Sequence, residues 1–252
     1  MAKDRVDPAN LWFQRKLRRF HRMAIPTNNE VLYGAAERKS RSLRTIISSS
    51  YLLLVPFTED MMDKYCGWFQ DDHLCRITGT DAAIIKDSFT TWTTDPAKIM
   101  FIVLDRRKYE PDRKDDAVAA MIGDVNLVIS FVEPGSPDSL SPQKLPAGSS
   151  LQEVEVMLML AEPDYRCKGL GTQILHLIMR YGLEELGISV FKAHISRDNH
   201  QSLRLFQSAG YSQTHYSEVF GEYALTLNLD LRSKSALIDK TDAIGYSLLL
   251  ET

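Results

Sequence analysis

The sequence is poor in cysteine and has no long apolar run. Its 252 residues include three cysteines, Cys66, Cys75 and Cys167, which form no C-x-x-C pair or other metal-ligand spacing, and its six histidines are scattered. We therefore expect a reduced, cytoplasmic protein without a bound metal. No stretch approaches about eighteen consecutive apolar residues, so no membrane span is expected.

Charge is distributed unevenly along the chain. Residues 1–50 carry 11 Lys and Arg against 4 Asp and Glu, whereas the remainder carries 19 against 29. An acidic body with a basic head argues against a general nucleic-acid surface on the main domain, and it is compatible with a cationic acceptor such as a protein amine.

The basic head is predicted to lie outside the folded domain. Residues 1–50 read as a poorly ordered extension, although Leu11–Phe20 could form a short basic amphipathic helix. We expect one domain over residues 51–230, and residues 231–252 read as a C-terminal tail or capping segment.

Within the domain, apolar and β-branched runs alternate with helical patterns, which predicts an α/β sheet. One strand, Glu153–Leu160, places Glu153, Glu155, Met157 and Met159 on one face and four aliphatic residues on the other. A helix is predicted from Gly171 to Leu186. The other predicted strands are Tyr51–Pro56, Ile99–Leu104, Val118–Ser130, Ser189–Ile195, Tyr211–Tyr216 and Tyr223–Leu229. The proline-rich residues 133–150 read as a mobile loop.

The segment Arg166-Cys167-Lys168-Gly169-Leu170-Gly171 joins the Glu153–Leu160 strand to the start of that helix. The unpaired amides of a first helical turn, together with the helix dipole, favour an anion such as a pyrophosphate. The loop is not a Walker A motif, because no Lys-Ser/Thr follows the second glycine, and G-x-G-x-x-G is absent. Alone it is also compatible with an ordinary strand-to-helix turn.

A second motif follows about thirty residues after this loop. It begins with Asn199-His200-Gln201-Ser202 and leads through Leu205-Phe206 to Gly210-Tyr211. Together the two stretches resemble the acetyl-CoA loop and the following helix of the GNAT superfamily of N-acetyltransferases. The resemblance implies a single GNAT domain with a central mixed, mostly antiparallel sheet flanked by helices.

Other strings narrow the resemblance. Leu52–Asp60 looks like the opening of the ribosomal-protein alanine acetyltransferase branch. Further strings resemble the N-acetyltransferase-nine-like proteins of eukaryotes, and these are Phe101–Asp105, Ile122–Leu127, Glu155–Met157, and Ala161–Pro163 followed by Lys168–Thr172. The match covers about residues 51 to 230. Departures are Cys167, where relatives carry Gly, and a central strand that looks two residues longer.

The resemblance implies direct attack of an amine on acetyl-CoA. The residues expected to bind the nucleotide are Arg166, Cys167, Lys168, Gly169, Leu170, Gly171, Thr172 and Asn199. An amine must lose a proton before it attacks, so a base is required. Glu155 and Glu153 are the leading candidates for that base, and Glu162 is a third. The tyrosine that many members place near the leaving thiolate is Phe206 here, so Ser202 is expected to bind the sulfur.

Each assignment has an alternative. Both glutamates would also suit a solvated strand face, Asn199 could simply cap its helix, and Ser202 could be a helix-surface hydroxyl. A catalytically weak or inactive fold that acts as an acetyl-CoA-binding or protein-interaction module is the alternative function, motivated by Phe206 and Cys167. The sequence leaves open whether the acceptor is a lysine, an N-terminus or a small amine.

Overall fold

The computed structural model describes residues 29–78, 82–110, 116–132 and 151–251. The strands in these ranges are β1 Thr45–Ser48, β2 Leu52–Pro56, β3 Lys98–Asp105, β4 Met121–Val132, β5 Leu151–Leu160, β6 Val190–Ser196, β7 Ser212–Ser217, β8 Glu222–Asn228 and β9 Ser247–Leu250. The α-helices are α1 Asn29–Ser42, α2 Met62–Trp68, α3 Asp72–Thr78, α4 Ala82–Thr94, α5 Asp116–Ala120, α6 Leu170–Glu185, α7 His200–Ser208 and α8 Leu231–Asp242.

All of these strands belong to one sheet, in the order β7-β8-β6-β5-β4-β3-β2-β1-β9. Every neighbouring pair is antiparallel except β5 and β6, which run parallel. The longest pairing joins β4 to β5, from Gly123 opposite Leu160 to Val132 opposite Leu151. This confirms the predicted mixed, mostly antiparallel sheet with flanking helices.

The two faces of the sheet carry separate apolar cores. On one face Val154 and Val156 of β5 pack with α6 and with Phe191 of β6. On the other face Met159 packs with residues of α2 and α3, including Tyr65. Since neighbouring residues of a strand point to opposite faces, this arrangement confirms the predicted alternation of β5.

Element boundaries differ from the predictions by a few residues. β5 begins at Leu151 rather than Glu153, and α6 covers Leu170–Glu185. The predicted strand from Val118 starts instead at Met121, because Asp116–Ala120 forms the short helix α5. The predictions for residues 1–28 and 133–150 lie outside the described residues.

Two segments predicted to lie outside the domain are part of the sheet. β1 pairs with β2 on one side and with β9 on the other, so residues from both ends of the chain complete one sheet edge. α1 is anchored by Lys39, whose Nζ donates to the carbonyl oxygens of Trp92 at 2.5 Å and Lys98 at 2.7 Å. This corrects the predicted boundaries at residues 51 and 230.

The helix α8 is held against α6 by Arg180. Its Nη1 donates to the Thr241 hydroxyl at 2.8 Å and to the Ile238 carbonyl oxygen at 3.1 Å. Among helices of the described ranges, none is both long and apolar enough to cross a membrane.

Candidate active site

The site begins where the two parallel strands separate. β5 pairs with β6 only from Glu153 opposite Val190 to Glu155 opposite Lys192, whereas its pairing with β4 continues to Leu160. Beyond Glu155 the sheet therefore opens between β5 and β6. This opening is a cleft in the middle of the sheet.

Backbone amides of β5 point into that cleft. The amide of Ala161, directly after β5, donates to the Ile122 carbonyl oxygen at 3.0 Å, so it points toward β4. Because amide directions alternate along a strand, the amides of Leu158 and Leu160 point the other way, toward the opening. The cleft thus has main-chain donors that leave no trace in the sequence.

The loop after β5 takes a conformation that favours glycine at two positions. Cys167 has φ 58° and Gly169, the residue before α6, has φ 78°. The left-handed region is strained for a residue with a β-carbon, and Cys167 adopts it nonetheless. The thiol is exposed. Cys167 therefore takes a backbone conformation that glycine would adopt without strain.

The first turn of α6 follows directly, with the amides of Leu170, Gly171 and Thr172 at its N-terminus. A β-carbon at Gly171 would lie 3.3 Å from a side-chain carbon of Leu205 on α7, so this glycine allows the two helices to approach. The predicted anion-binding loop thus leads directly into the N-terminus of a helix, where main-chain amides can bind an anion.

The side chain of Arg166 hydrogen-bonds to the backbone at the end of β5. Its Nε donates to the Leu160 carbonyl oxygen at 2.9 Å, and one Nη donates to the Ala161 carbonyl oxygen at 2.5 Å. The guanidinium therefore holds the end of β5 against the loop. Arg166 therefore has a structural role in addition to its predicted contact with a phosphate.

A second anchor lies just before Arg166. The Tyr165 hydroxyl donates to Asp105 Oδ2 at 2.9 Å, and the Arg107 guanidinium donates to the same carboxylate. These hydrogen bonds, led by that of Arg107, lower the pKa of Asp105 to about 2. The loop that follows β5 is thereby attached to the end of β3.

A cavity of about 710 Å³ connects the loop, the cleft and the face of the sheet covered by α2, α3 and α4. It is lined by Cys167, Gly169, Gly171 and Thr172 near the loop, and by Asn199, Ser202 and Phe206 of the second motif. Two residues that sequence reasoning passed over for this role, His194 and Asp124, also line it. The two predicted motifs therefore meet in one cavity.

The two predicted carboxylates lie on one face of the sheet, and each has a partner on the same face of β6. His194 Nδ1 is 3.0 Å from Glu155 Oε1, and the Lys192 ammonium pairs with Glu153. Glu155 is 5% exposed and Glu153 is 1% exposed. Of the two carboxylates and their two partners, His194 is the residue that lines the cavity. Glu155 thus reaches the cavity through the imidazole.

On α7, Asn199 caps the helix, since its side-chain oxygen accepts from the Ser202 amide at 3.1 Å. Ser202 itself is half-buried and lines the cavity. Phe206 is buried and packs edge-on against Tyr211 with ring centroids 5.0 Å apart. The cap accounts for Asn199, and the Ser202 hydroxyl stays available to the cavity.

Glu162, the third candidate for the base, is an anchor, and two further side chains form part of the cavity wall. Glu162 accepts from the Trp68 indole at 2.9 Å and lies 3.9 Å from Lys64 Nζ, which ties α2 to the start of the loop. Trp92 and Glu222 line the cavity. Within the described ranges there is no group of three His, Cys, Asp or Glu side chains that could hold a metal ion.

The sheet thus opens beside a helix N-terminus, and comparison with known proteins identifies the family that has this site. The acetyltransferase (GNAT) domain family matches residues 51–212. The chain therefore belongs to the GNAT acetyltransferase family and is an acyltransferase.

The predicted resemblance to the N-acetyltransferase-nine-like proteins is confirmed. The chain is 31% identical over 200 residues to alpha/beta-tubulin-N-acetyltransferase 9 of Mus musculus, covering 78% of this chain and 76% of that protein. It is also 31% identical over 200 residues to the N-acetyltransferase 9-like protein of Nematostella vectensis, covering 78% and 91%. Spermidine N-acetyltransferase of Vibrio cholerae, solved with CoA and spermine, shares the fold with a TM-score of 0.53 at 13% identity, over 73% of this chain and 98% of that one.

Proposed function

We propose that the protein is an acetyl-CoA-dependent N-acetyltransferase that moves the acetyl group to a protein amine, either a lysine or an N-terminus. The observation that carries this proposal is the continuity of the cavity. It runs from the N-terminus of α6 through the β5–β6 cleft to a polar face of the sheet. A donor and an acceptor can therefore meet at the cleft from opposite sides. We propose that the protein works in the cytoplasm.

The loop and the first turn of α6 would hold the donor. The amides of Leu170, Gly171 and Thr172 suit the pyrophosphate, and Lys168 adds positive charge. The Leu158 and Leu160 amides point to where the thioester carbonyl would lie. One main-chain donor aimed at a developing oxyanion contributes about 3 kcal/mol to transition-state stabilisation.

His194 and Glu155 would remove the proton from the acceptor. The acceptor nitrogen gives a proton to the imidazole of His194 and forms a bond to the acetyl carbon. The carbon–sulfur bond then breaks and CoA leaves as a thiolate, to which the Ser202 hydroxyl can donate. Glu155 is a positioning residue in this scheme, because it lies at ion-pair distance behind His194. Glu153, which pairs with Lys192, is assigned a supporting role on the same strand face.

Mass spectrometry of matched acceptors tests the proposal. One synthetic peptide has a free α-amine and no lysine, and the other has a blocked N-terminus and one lysine. Purified α/β-tubulin is the third acceptor, because the mouse relative is named for it. With acetyl-CoA we expect one acetyl group on at least one acceptor, and the peptide pair assigns the amine type.

The alternative module predicts a different outcome. Acetyl-CoA would then raise the thermal unfolding temperature of the protein while no acceptor gains an acetyl group. That result would contradict the proposed transfer reaction and support a binding role.

A further inference from the structure

Two polar side chains of β4 face the cavity deep inside the protein. Asp124 is 3% exposed and Asn126 is 6% exposed, and both line the cavity. Asn126 Nδ2 donates to Asp124 Oδ2 at 2.6 Å, and the buried Tyr65 also hydrogen-bonds to Asp124. The three side chains form a connected group, which we call the β4 acidic cluster.

The cluster has two acceptor atoms left over. Among the described residues, neither Asp124 Oδ1 nor Asn126 Oδ1 has a hydrogen-bond partner, and both atoms are buried. A buried acceptor without a donor costs about 1–3 kcal/mol, and native structures almost always supply one. A ligand that brings hydrogen-bond donors into the cavity would satisfy both atoms.

A positively charged ligand would suit the cluster further. A buried carboxylate is normally paired with a cation. No ion pair within the described part of the chain includes Asp124. Burial raises the pKa of Asp124 to about 7, against the opposing effect of its hydrogen bonds. A cation next to the carboxylate would favour its charged form and offset that burial cost.

We propose that Asp124 and Asn126 form the subsite that receives the ammonium group of the acceptor. An alkylammonium has N–H donors for both free oxygens and supplies the missing charge. Apolar side chains of Phe69, Leu74 and Ile77 line the same cavity and suit an aliphatic stem. The acceptor class is therefore a primary ammonium on an aliphatic stem, and the inference rests on the proposed function.

The position of the cluster fits the proposed chemistry. β4, β5 and β6 are neighbours in the sheet, and Asp124, Glu155 and His194 lie on one face of it. The ammonium group held by Asp124 passes one proton to His194, and the neutral amine then attacks the acetyl carbon in the cleft. The carbon–sulfur bond breaks, and the second proton of the nitrogen passes to the departing CoA thiolate. Asp124 thus binds the ammonium group of the acceptor, and His194 removes the proton that makes this group positively charged.

Calorimetry with small probes tests the subsite without turnover. Pentylamine and pentanol are titrated into the CoA-saturated protein, and into its Asp124→Asn, Asn126→Leu and Glu222→Gln variants. Glu222 is the matched control, because it is another buried carboxylate that lines the cavity. We expect wild type and Glu222→Gln to bind pentylamine at least about 10-fold more tightly than either β4 variant, with pentanol unaffected.

Equal pentylamine affinity in wild type, Asp124→Asn and Asn126→Leu would overturn the subsite, as would an equal loss in Glu222→Gln. In the peptide assay, Asp124→Asn should raise the KM for the acceptor at least about 10-fold, with a smaller change in kcat. Unchanged CoA affinity and thermal unfolding temperature show that each variant is folded. If wild type binds pentylamine but acetylates no acceptor, the transfer reaction fails while the subsite stands.

Discussion

The imidazole of His194 stands between the cavity and the carboxylate of Glu155, with 3.0 Å between Nδ1 and Oε1. A carboxylate in this position orients the ring and supports the positive charge that the ring gains with a proton. In the proposed mechanism, the glutamate on the central strand therefore acts through a residue of the neighbouring strand β6.

His194→Gln should lower kcat for acetyl transfer by about 100-fold or more, because a positioned base contributes that much. Glu155→Gln should lower kcat by about 10-fold, since the ring remains but loses its partner. Steady-state kinetics with a responsive peptide measures both. His200→Gln, at an exposed position on α7, is the control and should keep the wild-type rate. If kcat of Glu155→Gln were lower than kcat of His194→Gln, the carboxylate of Glu155 would itself take the proton.

Acetyl-CoA should protect Cys167 from alkylation by iodoacetamide. The thiol is exposed and lines the cavity beside α6, whereas Cys66 is buried and burial raises the pKa of its thiol. Peptide mapping after a brief reaction measures the protection. Equal labelling of Cys167 with and without saturating acetyl-CoA would place the nucleotide elsewhere.

Arg166 and Lys168 should contribute to donor binding in different ways. Arg166→Met removes the two hydrogen bonds to the end of β5, so the Kd for acetyl-CoA should rise about 10-fold at both low and high salt. Lys168→Met removes an exposed charge, and its smaller effect should vanish at high salt. Calorimetry at two salt concentrations separates the cases. A strong salt dependence for Arg166→Met would assign its guanidinium to the phosphates.

Gly123→Ala should destabilise the protein by about 2–3 kcal/mol. A β-carbon there would lie 2.1 Å from the Met159 carbonyl oxygen, so β4 would have to move away from β5. Gly34→Ala on α1 is the control, since its β-carbon meets nothing within 4 Å, and it should stabilise by about 0.5–1 kcal/mol. Urea denaturation measures both, and a neutral Gly123→Ala would contradict the tight contact.

Asp105→Asn should cost about 1–2 kcal/mol at neutral pH, because it weakens the hydrogen bonds with Arg107 and Tyr165. Folding lowers the pKa of Asp105 to about 2, from about 3.9 in an unfolded chain. Its stabilisation is therefore complete above pH of about 4 and disappears as the pH falls toward about 2. Denaturation curves of wild type and variant should converge there. Asp164→Asn, exposed in the same turn, is the control and should match wild type at neutral pH.

The sequence predicted what depends on local pattern. The period-two alternation of β5 and the glycine-containing turn before α6 are properties of adjacent residues, so the central strand and the anion loop were predictable. The pairing of Glu155 with His194 joins two strands that are far apart in the chain, and only their register brings them together. The strands β1 and β9 have four residues each, too few for a periodic signal to develop.

The pairing of β1 with β9 has a consequence for biosynthesis. A ribosome releases Thr45–Ser48 some two hundred residues before Ser247–Leu250. Until β9 is made, the backbone N–H and C=O groups on one side of β1 are unpaired and can bind any extended segment. A chain that terminates before β9 would keep this exposed edge. Nascent chains that stall late should therefore depend on chaperones more than the finished protein does.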